Sequence, residues 1–230
     1  MKVSDIMLLT SCISIPWMVK PLYGFLSDNF PIMGYHRKSY ILLSCAFSAL
    51  AAAFLGFSPT LPLALLIGVM IFDSLGGAIK DVAVDGLMVE EGKKHGLTGK
   101  LQAVQWGALH VALVLTGIGG GYLAEHFNYQ TAYKAIIAFP ILIAVCAWFY
   151  DEPVHQKDLS VTKGQLWSKY KNLLTDKQFL LSAAFLFFLW FSPSVGTPIM
   201  AKMRDDLHLS KIYIGWLGTI SSISGCVGAA

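Results

Sequence analysis

Five charged residues, Lys20, Asp73, Lys80, Asp81 and Asp85, are embedded in long apolar runs. In hydrocarbon a Lys or Asp costs about 2.5 to 3.5 kcal/mol on insertion scales, so each demands a partner, a wet cavity or a task. Asp73 and Lys80 stand seven residues apart in the run 61–87, which places them on nearly one helix face, about 10 Å apart along the axis. Asp81 and Asp85 mark a second face about 100° round. The first face reads as a proton or substrate site, with packing charge as the alternative; the second reads as a structural ion-pair cluster. Lys20 lies at similar depth in the run 5–27 and is placed to pair with Asp81 or Asp85, which leaves Lys80 for another role. Gln102, Trp106 and His110 follow at i, i+4 and i+8 in the run 101–124. Histidine changes charge nearest neutrality among the unperturbed side chains, so His110 joins Asp73 as a candidate to handle a proton, a hydrogen-bonded packing histidine being the plainer reading.

These residues need helices that cross a membrane. Of 230 residues, 55% are hydrophobic and 13% charged, and the mean hydropathy is +0.60; soluble domains carry about 25% charge. Roughly 20 helical residues cross a hydrocarbon core, and seven apolar stretches qualify, near 5–27, 40–57, 61–87, 101–124, 132–150, 178–201 and 212–230. Stretches such as LLIGVMIF are apolar all round, unlike the alternating strands of a membrane β-barrel. The loops after the first, third and fifth stretches hold ten Lys and Arg against five on the other side. The ten-residue side is therefore cytoplasmic. Asp5 interrupts what a signal peptide needs as a basic region, so the start reads as membrane helix; the run at the other end stops without a polar flank, as a fragment would.

Between the fifth and sixth stretches, 151–177 is the one candidate boundary. Leu166, Trp167, Tyr170, Leu173 and Leu174 share a face ringed by lysines, which suits a helix lying in the headgroups, with a solvated linker as the alternative. Gly117 and Gly121 form a small-xxx-small pair for close helix packing. Pro193, Gly196 and Pro198 predict a break or kink in 178–201. Cys12, Cys45, Cys146 and Cys226 lie inside apolar runs without metal-type spacing and read as packing residues. No nucleophile with a base, metal spacing or phosphate loop is visible, so the expectation is no enzyme, no cofactor, no metal and no nucleic-acid partner.

From Pro16 to Ile41 the sequence reads PWMVKPLYGFLSDNFPIMGYHRKSYI. Gly24, Asp28, Arg37 and Lys38 resemble the Gly-x-x-x-Asp...Arg-Lys loop that follows the second helix of major facilitator superfamily transporters. Here Gly24 allows close helix contact, Asp28 suits a basic partner or a helix N-terminus, and Arg37 with Lys38 anchors the cytoplasmic side. The longer pattern is similar to the folate-biopterin transporter family within that superfamily. Asp81 to Leu87, Val89-Glu90, Leu101-Gln102 and Trp106-Gly107 agree with it, while His36, Glu91 and 193–196 depart from it.

The resemblance implies an all-α, major-facilitator-type helical bundle of twelve transmembrane helices, about seven of them present. Residues 1–150 would be an N-terminal bundle lacking its first helix, 151–177 a cytoplasmic linker and 178–230 the start of a second bundle. It further implies a multi-pass protein of the plasma (inner) membrane, carrying a folate- or pterin-like solute by proton-coupled alternating access. Lys20 and Lys80 would face an anion or hold the acids, Asp73 or His110 would exchange the proton, and Trp106 would stack on a flat ring. Gly24, Asp28, Arg37, Lys38, Asp81 and Asp85 would form the gating and structural charge network. A carrier of another organic anion and a non-transporting remnant are the alternatives; a retinal-type receptor would want a lysine within 212–230, which has none.

Overall fold

A computed structural model describes residues 3–58, 60–153, 171, 175–191 and 196–229. The helices are α1 (Val3–Met18), α2 (Lys20–Asn29), α3 (Lys38–Phe57), α4 (Leu63–His95), α5 (Thr98–His126), α6 (Tyr129–Ile136), α7 (Ala138–Phe149), α8 (Lys177–Trp190), α9 (Gly196–Asp205) and α10 (Lys211–Ala229). Five helical spans are long and apolar enough to cross a membrane: Ser4–Asn29, Lys38–Phe57, Leu63–His95, Thr98–His126 and Tyr129–Phe149. The other two expected crossings are the α8–α9 pair and α10, whose described apolar part, Ile212–Ser224, is shorter. Large apolar side chains face outward, with Leu115 at 67%, Trp148 at 67% and Phe149 at 79% exposure. A surface of this kind is at home in lipid tails, and the protein is an all-α, multi-pass integral membrane protein.

Prolines interrupt two of the expected continuous helices. The first crossing breaks at Val19, between α1 and α2, because Pro21 has no N–H to return to the preceding turn. The fifth breaks at Ile137, where Pro140 removes the donor that would reach back to Ile136. The third outlasts its apolar run by eight residues, ending at His95 rather than Leu87. Lys93, Lys94 and His95 occupy its last turn, and Gly96, at φ 66°, closes it in the left-handed conformation. In the sixth, α8 ends at Trp190 and α9 starts at Gly196, and residues 192–195, on which the expected break falls, lie outside the described residues. Pro193 and the amphipathic face built on Leu166, Trp167, Tyr170, Leu173 and Leu174 lie outside the described residues.

The interior is packed with small side chains. Tyr40, Ile41, Cys45, Ala83 and Ala147 join α3, α4 and α7. At Gly76 of α4 a Cβ would stand 2.9 Å from the Ser44 carbonyl of α3, so the two backbones touch as small residues allow. Cys45 is buried and Cys12 half-buried, but Cys146 is exposed on the outer face of α7, which corrects its reading as a packing residue.

The expected role of Gly117 is met against α10. A Cβ on Gly117 would fall 2.8 Å from Thr219 Oγ1, and one on Gly215 would run into the Gly117 carbonyl, with the Cα of Gly121 also close by. Gly215→Ala is therefore expected to destabilise the protein by about 1–3 kcal/mol, the usual penalty for overpacking. Gly107→Ala is the control, since nothing lies within 4 Å of its added carbon. Thermal melts of the purified protein in detergent, with only the first variant melting early, check this.

Candidate functional site

α4 presents the two faces that the spacing predicts. On one face Gly77, Asp81 and Asp85 follow at four-residue intervals. Lys20 Nζ stands 2.5 Å from Asp81 Oδ2, with both side chains about one-third exposed. Of the two partners expected for Lys20, Asp81 is the one it takes. The same ammonium lies 4.5 Å from the centroid of the Trp17 indole, an attractive cation–π arrangement. Trp17 rests on Gly77, where an added Cβ would be 3.4 Å from its Cζ2. Asp85 is met from α5 instead, accepting a hydrogen bond from Gln105 Nε2 at 2.7 Å. Lys20 is also the first residue of α2, so the ion pair sits directly beside the proline break.

The second face carries Asp73 and Lys80. Together with Ser48 of α3, Tyr133 of α6 and Pro140 of α7 they line a cavity of about 300 Å³. Neither charge forms a hydrogen bond or an ion pair among the described residues. The third expected group stays separate. The Trp106 and His110 rings are 6.3 Å apart and tilted by 34°, and His110 Nδ1 is buried without a hydrogen-bond partner among the described residues. No contact of that kind links either ring to Lys20, Asp73 or Lys80. Gln105, one step round the helix from Gln102, occupies the face of α5 that meets α4.

Where α2, α3 and α4 meet, Arg37 gathers the loop between α2 and α3. Its side chain is 9% exposed and lies 2.6 Å from both Asp28 Oδ1 and Glu90 Oε1. Nε donates to Glu90 at 3.0 Å and Nη1 to Ser27 Oγ at 2.6 Å. Burial works against the charged guanidinium, but the hydrogen bond to Glu90 and the charges of Asp28 and Glu90 outweigh it, and its pKa stands above the ordinary value. A Cβ at Gly86 would fall 2.6 Å from Arg37 Cζ, so this glycine makes the space in which the guanidinium lies. Gly24, by contrast, faces Val82 with room for a methyl at 3.6 Å, which removes the demand for close contact inferred for it.

A second clamp crosses from α3 to α7. The Glu152 carboxylate accepts from the backbone N–H groups of His36 at 2.8 Å, Arg37 at 3.0 Å and Lys38 at 2.6 Å, which closes the N-terminus of α3 with negative charge. Lys38 Nζ returns the contact, donating to the Trp148 and Tyr150 carbonyls at 2.7 and 2.9 Å, where α7 ends. Tyr150 donates its hydroxyl to Glu91 at 3.0 Å. Burial and then that bond push its pKa up to about 12, so it stays a neutral donor. His36 Nδ1 lies 2.7 Å from the Ser27 carbonyl, a contact that requires the proton on Nδ1. Ser27, Gly86, Glu152, Gln105 and Trp17 are the residues that the sequence did not single out as members of a site. Among the described residues no group of His, Cys, Asp and Glu could hold a metal ion.

Residues 1–220 match the BT1 family. The chain belongs to the BT1 family. The chain is 30% identical over 218 residues to the folate-biopterin transporter of Synechocystis sp., an alignment covering 93% of this chain and 44% of the relative. It is 33% identical over 150 residues to probable folate-biopterin transporter 4 of Arabidopsis thaliana, covering 63% of this chain and 30% of the relative. Folate transporter 1 of Plasmodium falciparum aligns over 219 residues at 22% identity, covering 94% and 43%. The BT1-family chain thus spans about half the length or less of these curated relatives. No solved structure matches it. The resemblance carried by Pro16–Ile41 and the 81–107 segments is borne out at the level of the family, whose named relatives are transporters and not enzymes.

Proposed function

We propose that this BT1-family chain is part of a secondary active transporter that moves a folate- or pterin-like solute across the membrane by proton-coupled alternating access, in the manner of the major facilitator superfamily. Residues 1–150 act as the first bundle, 151–177 as a cytoplasmic linker, and 178–230 as the start of the second bundle, in the plasma (inner) membrane. The observation that carries the reading is the division of charge on α4. One face holds the Lys20–Asp81 pair beside a proline-broken helix, and the other holds Asp73 and Lys80 on a cavity that Gly77, at the edge between the faces, also lines. Interrupted helices beside intramembrane charge are what secondary transporters use to build a solute path, and the names of the relatives supply the solute class.

In this scheme the Trp17–Asp85 face meets the solute and Asp73 exchanges the proton. Trp106 and His110, apart from both clusters here, enter only when the remaining helices complete the path. The Arg37 and Glu152 clamps hold the cytoplasmic ends of the first bundle as it rocks. The complete reading frame expressed in cells is expected to take up labelled folate or biopterin, and a protonophore is expected to reduce that uptake to background. Asp73→Asn, with normal surface abundance, should flatten the dependence of uptake on external pH. Uptake by Asp73→Asn with unchanged rate and pH profile would remove the proton from that residue. Absence of uptake of either compound by a protein shown to reach the membrane would remove the solute class.

A further inference from the structure

The Gly77–Asp81–Asp85 stripe runs about 12 Å along α4, eight residues at the helical rise. Each position has one partner from a neighbouring helix: Trp17 on Gly77, Lys20 on Asp81 and Gln105 on Asp85. The charges do not balance. With all three groups ionised, one lysine faces two aspartates, and Lys20 is spent on Asp81. Asp85 receives one neutral amide donor on Oδ1, and its Oδ2 has no hydrogen-bond or ionic partner among the described residues. A half-buried carboxylate just inside the end of the apolar run, with a single neutral donor, has acceptor capacity left over. What completes it is another donor, best a pair of N–H groups side by side, because a carboxylate accepts two parallel hydrogen bonds in one plane. At the other end of the stripe Trp17 keeps 42% of its surface open, an aromatic ring beside which a flat ligand can lie.

The geometry points to a recognition mode based on the solute's donor edge: a flat, two-ring heteroaromatic docks two adjacent N–H groups on Asp85 and lies along the stripe towards Trp17. Lys20 neutralises Asp81, one of the two parts the sequence suggests for it, and does not bind an anionic end of the solute. The inference rests on the transporter reading and deepens it, naming which edge of a pterin-like ring is read and by which residue. A 2-amino-4-oxo ring presents its ring N–H and amino N–H together; the corresponding 2,4-dioxo ring replaces the amino donor with a carbonyl that opposes the carboxylate.

The test is competition for uptake of labelled biopterin by the complete protein, with unlabelled pterin against unlabelled lumazine, its 2,4-dioxo counterpart. Pterin is expected to compete about tenfold or more better than lumazine, the size of one hydrogen bond to a charged group. Asp85→Asn should bring the two compounds to near equality, and Asp85→Glu should keep the preference. Gln105→Ala, which takes away only the neutral donor, should keep it too. Equal competition in the unmodified protein, or a preference that survives Asp85→Asn, overturns the inference while leaving the transporter reading intact. If Asp85→Asn fails to reach the membrane, the ratio measured on the unmodified protein decides alone. If the unmodified protein reaches the membrane and takes up neither folate nor biopterin, the solute class falls and the donor-edge inference with it.

Discussion

Arg37→Ala lowers the stability of the detergent-purified protein by about 3 kcal/mol, the lower end of what removing one partner from a buried ion pair costs. The lower end applies because Asp28 and Glu90 keep nearly half of their surface exposed, 49% and 46%, while Arg37 keeps 9%. The substitution strands two carboxylates together, at the point where α2, α3 and α4 meet, and leaves the Ser27 hydroxyl only its bond to the Gly24 carbonyl. Arg37→Lys is expected to recover little. One ammonium cannot hold Glu90 through Nε and Nη2 while Nη1 reaches Ser27, and the planar fork is what fits the slot over Gly86. Gly86→Ala, which leaves every charge in place, should reproduce part of the loss by pushing the guanidinium out. Thermal melts of the three variants against the parent check the order. A lysine variant as stable as the parent would show that only charge matters at this position.

The second large effect is expected at the Lys20–Asp81 pair. Lys20→Met leaves Asp81 unpaired inside the membrane, and Asp81→Asn leaves Lys20 so, each at about 2.5 to 3.5 kcal/mol if the stranded group keeps its charge. Both single variants should therefore lose most uptake and much of their melting temperature. The double variant removes both charges at once and should regain stability, with a coupling of about 2 kcal/mol across the cycle, within the range for residues in direct contact. Uptake should remain low in the double variant if the pair also shapes the solute path beside Trp17. Additive losses in the cycle would mean that the two charges act independently, and the pairing would then have no energetic content.

Much of this architecture is legible in the sequence for a simple reason: hydrocarbon permits few arrangements. Apolar runs of sufficient length become helices, and the charges within them must find each other, so the sequence narrows the partner of Lys20 to Asp81 or Asp85, and the fold takes Asp81. Prolines at 21 and 140 mark interruptions, although reading the runs by hydropathy alone passes over both. The true end of α4 is also written in the sequence, as Lys93-Lys94-His95 followed by Gly96, but hydropathy stops at Leu87 because charged residues extend a helix into water without adding apolar signal. What the sequence conceals is rotation and distance. Periodicity gathers Gln102, Trp106 and His110 on one stripe of α5, yet it is silent on which stripe turns to α4, and Gln105 is the residue that does so. Glu152 lies some 115 residues after the backbone groups it binds, in a polar segment where one acid looks like any other. Gly86 is hidden for a different reason: its value lies in the Arg37 side chain that occupies the space it leaves.

The reciprocal clamp of Glu152 and Lys38 has a consequence for how the chain is made. Ribosomes deliver α3 long before residue 152, and folding proceeds from the N-terminal side as the chain emerges. Until Glu152 arrives, three backbone N–H groups at the start of α3 lack their acceptor, and Lys38 lacks the carbonyls that end α7. The clamp closes only when the chain has passed through α7 and returned to the end of the bundle where α3 begins. The hydrogen bonding at the start of α3 is therefore complete only after every helix between it and residue 152 is in place.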